Sequence, residues 1–596
     1  MLAFALAACG MFHENIYPYV NPNVVIPPAP SPIDAPADMP AFTFAPLTPQ
    51  ALMAHVQRLA SDQFEGRAPG THGETLTVDY VERAFRTAGL TPGVPVGANA
   101  ASWEQAVPLI SATIINNPVL QIAKLAPPPT LPLTPPPTTA HPVQLLPAAP
   151  PADARAYTYG DDFVVWTKST QPHVALENAE LVFVGYGIVN RELGWDDYAG
   201  LDMHGKIAVI LVNDPDAETG DDRGFRGRAM TYYGHWRYKF EEAARQGAAG
   251  ALLIHETGAA GYSWDVVRAT WTGRQLDLQR ADPNAGHTPV EGWLSEPAAR
   301  DLFTRAGHDF AQEKVRAQRP DFTPLPLGLT ASLAIDTQIE TSLSRNVIGV
   351  LPGRSQPGEA VLYTAHWDHL GPCPAVDGDD ICNGAVDNAT GVAGLIELAR
   401  RFAGEPHRRR SIVFIAFTGR EAGLLGSDYY AAHPVLPLVR TAALINIEGL
   451  STLGPARDIS LVSDGHNDLE DALEQAAQAE GRALTDEPHP ERGGFFRSDQ
   501  FTFARLGVPV LLTSPGLDLY TGGVTRGRAL WDVFLTQHDH KPSDQFSPTW
   551  DMTAAFRDLQ LLHAVGARVS DSSDWPNWRA GDPYRALRDT SGRSRQ

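Results

Sequence analysis

The sequence predicts an α/β fold in which helices cover both faces of a doubly wound, mixed but mostly parallel sheet, giving three layers. Two observations predict it. A buried apolar run at 361–365 is followed by a helical pattern at 391–403, the run SIVFIAF, a helix from about Ser427 and the run AALINIE. Acidic and imidazole side chains come directly after these strands, and the carboxyl ends of parallel strands border the crevice where ligands bind. The alternation therefore predicts the sheet and also the edge that carries the site.

Length and charge limit the classes of function. A chain of 596 residues is too long for one hydrophobic core, so two or more domains are expected. The formal net charge of −22 argues against nucleic acid or an anionic membrane surface as the partner. No apolar stretch approaches the ~20 residues that a membrane-spanning helix needs. An acidic, multidomain globular enzyme is the expectation.

The N-terminal residues and the three cysteines bear on the compartment. The run LAFALAAC ends at Cys9, and its small residues resemble a bacterial lipoprotein signal, which implies cleavage before Cys9, lipidation of Cys9 and a periplasmic or membrane-anchored protein. The basic start of such a signal is missing, so a coincidental match stays open. Cys373 and Cys382 share one loop, and they could form a disulfide if the chain is exported; a reduced pair is the alternative.

The composition and the hydrophobic pattern of the sequence change several times along the chain. Two helical patterns follow Leu47, and the second ends at Gly89. From about Ala179 the runs AELVFVGYGI, KIAVILV and ALLIH, with the helical pattern YKFEEAARQGAAG, predict a small strand-rich module. The predicted divisions are a signal at 1–9, a Pro-rich tether at 10–46, a first part of the main domain at 47–175 with a Pro-rich excursion at 125–152, an inserted module at 176–300, the metal-site part at 301–570 and a polar tail at 571–596.

The stretch VLYTAHWDHLGPCPAVDGDDICNGAVDNATG predicts a metal site. Its strand delivers His366 and Asp368, and the Gly-rich loop that follows brings Asp387. Imidazole and carboxylate groups bind zinc, and a further carboxylate can hold the imidazole from behind. A surface loop that happens to be acidic is the alternative.

Further candidate ligands come later in the chain, each at the end of a strand or in a polar loop. They are Glu421, Glu448 and His540. With His366 and Asp387 they provide two imidazoles and three carboxylates, so that one shared carboxylate would give each of two ions a nitrogen and two carboxylates. Two divalent ions about 3.5–4 Å apart can share a hydroxide and polarise one carbonyl. Zinc is the first choice for mixed nitrogen and oxygen ligands, and cobalt or manganese would also fit.

These motifs resemble the co-catalytic zinc aminopeptidase family, which includes bacterial leucyl aminopeptidases and the glutamate carboxypeptidases. The motifs are AHWDHLG, NGAVDNATGVA, REAGLLGS, LINIEGL and HKPSDQF, and the inserted module resembles a protease-associated (PA) domain. The resemblance implies the zinc exopeptidase fold, of phosphorylase/hydrolase type, with a peptide as substrate. It further implies that His366 and Glu448 bind one zinc ion, Glu421 and His540 a second one and Asp387 both, while Asp368 orients His366.

The chain departs from the family pattern at the position of the general base. Two consecutive acids are usual there, but the first is Arg420 in this chain, and a guanidinium cannot accept a proton at ordinary pH. Loss of a general base lowers the rate roughly 10²–10⁴-fold, which predicts a slow enzyme. A milder departure is Glu448, where Asp is commoner. Asp499, Gln500 and Tyr520 are the candidates for contact with substrate, although related sequences often carry His in place of Gln500.

The expected function is a metal-dependent aminopeptidase that uses hydroxide bound to two zinc ions to remove N-terminal residues from peptides. Two alternatives remain. One is a catalytically impaired homologue that binds metal and acts as a binding protein, which Arg420 favours. The other is a glutaminyl cyclase, which shares the fold and uses one zinc ion.

Overall fold

A computed structural model describes residues 45–96, 100–125, 153–282 and 286–593. The predicted signal at 1–9 with Cys9, nearly all of the tether at 10–46 and nearly all of the Pro-rich excursion at 125–152 lie outside these described residues. Among the helices in the described ranges, none combines the length and the apolar character that a membrane crossing requires.

The chain divides into two compact units. The first comprises Met1–Ile110, Leu276–Asp282 and Glu340–Gln596, and the second comprises Ser111–Gln275 and Pro283–Ile339. The second unit is therefore wider than the inserted module predicted at 176–300. The physical reason is strand pairing, because short strands before and after the Pro-rich excursion join the sheet of the second unit. Its identity as a PA domain stays a prediction.

The first unit is built on a mixed sheet whose central strands are parallel, as the sequence predicts. The buried residues of these strands are almost continuously apolar, which is typical of strands covered on both faces. In spatial order the strands are Thr91–Pro92, the end of Leu325–Leu351, Arg410–Phe417, Gln356–His366, Thr441–Asn446, Val510–Ser514, Asp458–Leu461 and Ala483–Asp486.

Helices cover both faces of this sheet. On one face Val361, Tyr363 and Ala365 join a core cluster with residues from five of the helices. On the other face Phe503 packs against Phe417 and Tyr430. The helices of the first unit are Pro49–Leu59, His72–Ala88, Gly391–Ala403, Leu425–Ala432, Asp468–Ala479, Gln500–Ala504, Gly523–Val533, Thr553–Asp571 and Arg585–Arg593.

Local sequence explains the ends of the first two helices. The Thr48 hydroxyl accepts a hydrogen bond from the Ala51 amide at 3.2 Å, and Pro49 takes the first helical position, where its missing N–H costs nothing. The second helix ends at Gly89, which adopts a left-handed conformation with φ of 92°. The end of the second helix at Gly89 is the one that the sequence predicts, and its start at His72 lies within the polar stretch before it.

The described part of the predicted polar tail, 571–593, packs against the rest of the first unit. Trp578 is buried, and the buried Arg588 guanidinium donates to the carbonyls of Thr441 and Ala442 at 2.9 and 2.8 Å. The polar composition of this region does not indicate such packing. An arginine can nevertheless be buried here because carbonyl oxygens at the start of a strand accept its hydrogen bonds.

The second unit has its own mixed sheet and a helix-covered apolar core. In spatial order its strands are Arg155–Tyr157, Leu120–Lys124, the beginning of Leu325–Leu351, His173–Phe183, Lys206–Leu211, Gly250–His255, Val290–Ser295 and Phe163–Trp166. Its helices are Trp236–Arg245, Thr257–Ala260, Trp264–Trp271, Glu296–Ala306 and Phe310–Ala317.

Candidate metal centre

Three neighbouring parallel strands of the first unit deliver three of the predicted ligands. His366 is the last residue of Gln356–His366. Glu421 follows Arg410–Phe417, and Glu448 follows Thr441–Asn446, the strands that pair with Gln356–His366 on either side. Because these strands are parallel and adjacent, their carboxyl ends lie at the same edge of the sheet.

Two loops bring the remaining predicted ligands to this edge. Asp387 lies in the turn Ala385–Thr390 before the helix Gly391–Ala403, and His540 follows the turn Phe534–His538. The buried Asp544 carboxylate joins the two loops, because it accepts hydrogen bonds from the amides of Val386 and Asp387 at 2.9 and 3.1 Å. A carboxylate four residues after His540 thus holds Asp387 in place.

The five side chains form two sets that share Asp387. His366 Nε2 lies 3.2 Å from Asp387 Oδ1 and 3.5 Å from Glu448 Oε1. His540 Nε2 lies 3.3 Å from Asp387 Oδ2 and 3.4 Å from Glu421 Oε2. Each set thus brings one imidazole and two carboxylates together, and Asp387 turns one oxygen to each set.

Asp368 organises the loop behind the site. Its carboxylate accepts hydrogen bonds from the amides of Arg420 and Glu421 at 3.1 and 3.2 Å, and its Oδ1 lies 3.7 Å from His366 Nδ1. His366 Nδ1 is also 3.1 Å from the carbonyl oxygen of Asp368. A proton on Nδ1 satisfies that carbonyl and leaves the Nε2 lone pair facing the acids, which is the tautomer that a metal requires.

Sequence reasoning missed two buried side chains next to the centre. His369 Nδ1 lies 3.5 Å from Glu421 Oε1, and His369 forms a further candidate ligand group with Asp387 and Glu421. Its signal was its place in HWDHLG, directly after Asp368. The Arg67 guanidinium donates to the carbonyl oxygens of Asn383 and Gly384, just before Asp387 in the chain, at 2.7 and 2.8 Å. No spacing pattern links Arg67 to residues some 300 positions away.

The Arg420 guanidinium lies between the carboxylates. Its Nη1 donates to Glu421 Oε1 at 2.8 Å and is 3.6 Å from Asp387 Oδ2, and its Nη2 forms an ion pair with Glu448 Oε1. Burial by itself would raise the pKa of Glu421 and Glu448, but Arg420 and the neighbouring imidazoles outweigh it and hold both pKa values below their ordinary range. The two glutamates are therefore charged at neutral pH.

Orphaned polar atoms show that this donor set fits a cation. Among the described residues, the buried atoms His366 Nε2 and Asp387 Oδ1 have no hydrogen-bond partner. Three buried carboxylates beside one guanidinium also leave net negative charge, and buried charge without a partner is costly. Nitrogen and carboxylate donors in this arrangement suit zinc.

A cleft in the first unit opens onto the centre, with Asp387, Arg420, Glu448 and His540 in its wall. The rest of the wall combines apolar residues with charged ones. The apolar residues include Val462, Leu512, Trp531, Phe534 and Leu535, and the charged or titratable ones Glu487, His489, Arg492, Arg497 and Asp539.

The three candidates for substrate contact are not among the residues that line this cleft. Asp499 is fully buried, and its Oδ1 accepts a hydrogen bond from the Ser427 hydroxyl at 2.6 Å. The Gln500 side-chain amide is also buried. It accepts a hydrogen bond from the Asn446 side chain and donates one to the carbonyl of Phe495. Tyr520 is half exposed and faces the Arg457 guanidinium. Direct contact with substrate is therefore not proposed for these three residues.

The cysteines of the neighbouring loop are joined. Cys373 and Cys382 form a disulfide that links the strands Gly371–Val376 and Asp379–Cys382 of a short hairpin. This hairpin lies between His366 and Asp387 in the chain, so the pairing left open by the sequence is present.

Comparison with known proteins supports the resemblance found in the sequence. Residues 346–563 match peptidase family M28. A mouse protein described as aminopeptidase NAALADL1 is 30% identical over 138 residues, which cover 22% of this chain and 17% of the mouse protein. A probable zinc metalloprotease of Pyrenophora teres f. teres is 36% identical over 121 residues, which cover 20% of this chain and 25% of that protein.

Solved structures include an aminopeptidase from Aneurinibacillus sp. strain AM-1, which is 18% identical, with a TM-score of 0.49 and coverage of 89% of this chain and 95% of that one. The chain spans a quarter or less of the length of the two curated relatives described above. The family match confirms the predicted resemblance to zinc aminopeptidases, and the strand pairings confirm the predicted α/β class.

Proposed function

We propose, from the premise that residues 346–563 are a domain of peptidase family M28, that this chain is a zinc-dependent peptide hydrolase and, within that class, an aminopeptidase. The observation that carries the proposal is the convergence of five predicted ligands into two sets around Asp387. Three of these ligands come from the ends of adjacent strands, where the fold places ligands in α/β proteins.

Two zinc ions complete the proposal. His366 and Glu448 would hold one ion, Glu421 and His540 the other, and Asp387 both, as their paired approaches of 3.2–3.5 Å suggest. When bound, a pair of zinc ions supplies Lewis-acid polarisation of the peptide carbonyl and makes a water acidic enough to attack it near neutral pH. The orphaned buried atoms of His366 and Asp387 support this assignment.

The side chains of the cleft supply binding and orientation. The acids Glu487 and Asp539 of the cleft wall can face the terminal ammonium of a peptide, and the apolar wall formed by Leu512, Trp531 and Phe534 excludes water and accepts an apolar side chain. These two features favour removal of a bulky apolar N-terminal residue over cleavage inside a chain.

Arg420 limits the rate. Its pKa lies well above its ordinary value, because the charges of Glu421, Glu448 and Asp387 outweigh the effect of burial, so it holds its proton throughout the reaction. The proton of the attacking water must then leave without help from this position. Since general-base assistance contributes about 10²–10⁴-fold, we propose a slow peptidase.

The test compares aminoacyl p-nitroanilides on zinc-loaded protein. Leucyl p-nitroanilide should be hydrolysed slowly, N-acetyl-leucyl p-nitroanilide should not be hydrolysed, and Arg420→Glu should accelerate the first reaction. The acetylated substrate is the matched control for recognition of a free amine. Cleavage of both substrates would contradict an aminopeptidase.

A second candidate function is that of a metal-binding protein without peptidase activity, and the ion pairs of Arg420 with Glu421 and Glu448 favour it. If both the native protein and Arg420→Glu hold zinc and neither hydrolyses any peptide of the panel, this candidate replaces the peptidase. Cyclisation of an N-terminal glutamine without hydrolysis would instead indicate a glutaminyl cyclase.

Export is a further part of the proposal. The run LAAC before the mature sequence supports lipidation of Cys9, and the Cys373–Cys382 disulfide supports an oxidising compartment. In a bacterial host, labelled palmitate should be incorporated into the native chain and not into Cys9→Ser. Equal labelling of the two proteins, or none, would contradict lipidation at Cys9.

A further inference from the structure

We propose that Arg420 competes with the metal for one of the two ion positions, the one formed by His366, Asp387 and Glu448, so that the chain fills the His540 position first. This inference rests on the proposed zinc centre, and it adds an order of filling and a side chain that sets the order.

The two ion positions differ in which oxygen atoms the guanidinium occupies. At the first position, Arg420 Nη2 pairs with Glu448 Oε1, and this same oxygen faces His366 Nε2 at 3.5 Å. An ion held by His366 would therefore have to take the oxygen atom that Arg420 already uses.

At the second position, the guanidinium leaves the facing oxygens available. Arg420 Nη1 bonds to Glu421 Oε1, whereas the oxygen that faces His540 Nε2 is Oε2, at 3.4 Å. Nη1 also approaches Asp387 Oδ2, but at 3.6 Å it is outside hydrogen-bond range. An ion beside His540 thus finds two carboxylate oxygens without displacing the arginine.

Burial makes the displacement at the first position costly. The Arg420 side chain is only 11% exposed, so a guanidinium separated from Glu448 loses one of its two carboxylate partners in surroundings that solvate charge poorly. It also lies next to the incoming dication, and like charges repel strongly where water is excluded. Both effects weaken the ion at the first position relative to the second.

Access favours the same order. His540 lies in the wall of the cleft, while the His366 side chain is fully buried. Of the two imidazoles, an ion that enters from the cleft therefore reaches His540 more readily. The second ion, and the full activity proposed above, should then depend on the free zinc concentration.

The experiment is a zinc titration of the chelator-stripped full-length chain in metal-buffered solutions, with the number of bound ions measured by mass spectrometry. We expect two steps in the native protein, with the second dissociation constant about 100-fold higher than the first, since breaking one member out of a buried ion pair is costly on that scale. In Arg420→Gln the second step should tighten at least tenfold, and the first should change less than threefold.

Three variants assign and control the steps. Arg497→Gln removes the same charge from the wall of the same cleft, and it should move both steps less than threefold. His366→Ala should remove the weak step alone, and His540→Ala the tight one. Circular dichroism and thermal unfolding of each stripped protein check that it folds, and the two-step titration of the native chain needs no variant.

Several outcomes would overturn the inference. Equal affinities of the two steps in the native protein would do so, as would equal effects of Arg420→Gln and Arg497→Gln, or loss of the tight step in His366→Ala. Peptide hydrolysis by a chain with two equal zinc sites would refute the order of filling and leave the peptidase standing. Failure to bind zinc at all would refute both.

Discussion

Two buried clusters of opposite charges, one in each unit, invite comparison. In the first unit Asp387, Glu421 and Glu448 surround Arg420, and we call this group the site cluster. In the second unit Asp197 and Asp214 accompany Lys239, all of them at most 2% exposed, and we call this group the support cluster. By residue type and burial the two groups look alike.

The two clusters differ in whether their polar atoms have partners. In the support cluster the Lys239 ammonium donates to the carbonyls of Tyr186 and Asn213 at 2.6 and 3.0 Å. Asp214 accepts from the amide and the hydroxyl of Thr231, and Asp197 accepts from a backbone amide and an indole.

In the site cluster, by contrast, Asp387 Oδ1 has no hydrogen-bond partner among the described residues, and Glu448 Oε1 has only its ion pair with Arg420. Unmet hydrogen-bonding capacity, more than buried charge, therefore distinguishes a group prepared for a ligand from one that holds a fold together.

The largest expected effect is on activity when the shared ligand is changed. Asp387→Asn should lower hydrolysis of leucyl p-nitroanilide more than about 100-fold. Changing a residue that only hydrogen-bonds to a metal ligand already costs about 10–100-fold, and Asp387 is itself a proposed ligand. Steady-state turnover and zinc content measure it. Asp214→Asn is the matched change in the support cluster and should leave the zinc content unaltered, so equal zinc loss in both variants would erase the distinction.

The next effect concerns stability in the support cluster. Lys239→Met removes the only cation of that cluster as defined here and leaves Asp197 and Asp214 buried without it, which should lower the free energy of unfolding by about 3–5 kcal/mol. Urea unfolding measures the change. Zinc content of the folded variant should equal that of the native protein, and a loss of zinc would show that the two clusters are not independent.

Zinc itself should act on stability through the site cluster. A ligand that binds the folded chain alone, at a free concentration 100 times its dissociation constant, raises the free energy of unfolding by about 2.7 kcal/mol. Thermal unfolding with and without zinc measures this shift. The shift should persist in Asp214→Asn and shrink in Asp387→Asn, and a shift of unchanged size in Asp387→Asn would place the zinc elsewhere.

A smaller effect is expected at Asp368, which holds the Arg420 and Glu421 amides. Asp368→Asn keeps the shape but weakens acceptance of those hydrogen bonds, so zinc affinity should fall about 10–100-fold. Competition with a zinc chelator measures the affinity. Asp368→Glu is the control that keeps the charge, and an unchanged affinity in Asp368→Asn would refute a positioning role.

The smallest expected effects concern how the free energy of unfolding depends on pH, which should differ between the two clusters in zinc-free protein. Burial raises the pKa of Asp197 and Asp214 to about 7, so their contribution to stability is present below their ordinary pKa of about 4 and is lost as pH rises to about 7. In the site cluster Arg420 and His366 outweigh burial and lower the pKa of Glu448, so its contribution is present above about pH 4 and is lost on further acidification.

Variants that replace one acid by its amide test these opposite signs. Asp214→Asn should flatten the decline in the free energy of unfolding between about pH 4 and 7. Glu448→Gln should change the pH dependence of this free energy only below about pH 4. Urea midpoints across the pH range measure both. A steeper decline in Asp214→Asn, or the same pH profile in the two variants, would contradict the assignment.

Much of the site could be predicted from the sequence because strand ends carry it. The apolar run before His366 and those before Glu421 and Glu448 identify strands, and parallel strands in an α/β alternation bring their ends to one edge. His540 was predicted from its motif alone, and the structure brings it to Asp387 through Asp544. The pairing of Cys373 with Cys382 could be suspected but not decided, since spacing does not fix geometry.

Other features depended on contacts between distant positions. The strand Leu120–Lys124 pairs with Arg155–Tyr157 across the Pro-rich excursion, and this pairing moved the boundary of the second unit to Ser111. Gln500 lies close in the chain to Arg497 of the cleft wall, but its side-chain amide is directed into the core, away from the cleft. Neither result follows from local pattern.

The sequence by itself determined the fold class, the order of the candidate ligands and the arginine at the position of the general base, because hydrophobic periodicity and residue type are local properties. Only the tertiary structure decided what that arginine touches. Arg420 pairs with Glu448, which lies 28 positions later in the chain and at the same edge of the sheet. It leaves available the Glu421 oxygen that faces His540. Which oxygen atom a guanidinium takes depends on the meeting of separate loops in space, and spacing along a chain does not record it.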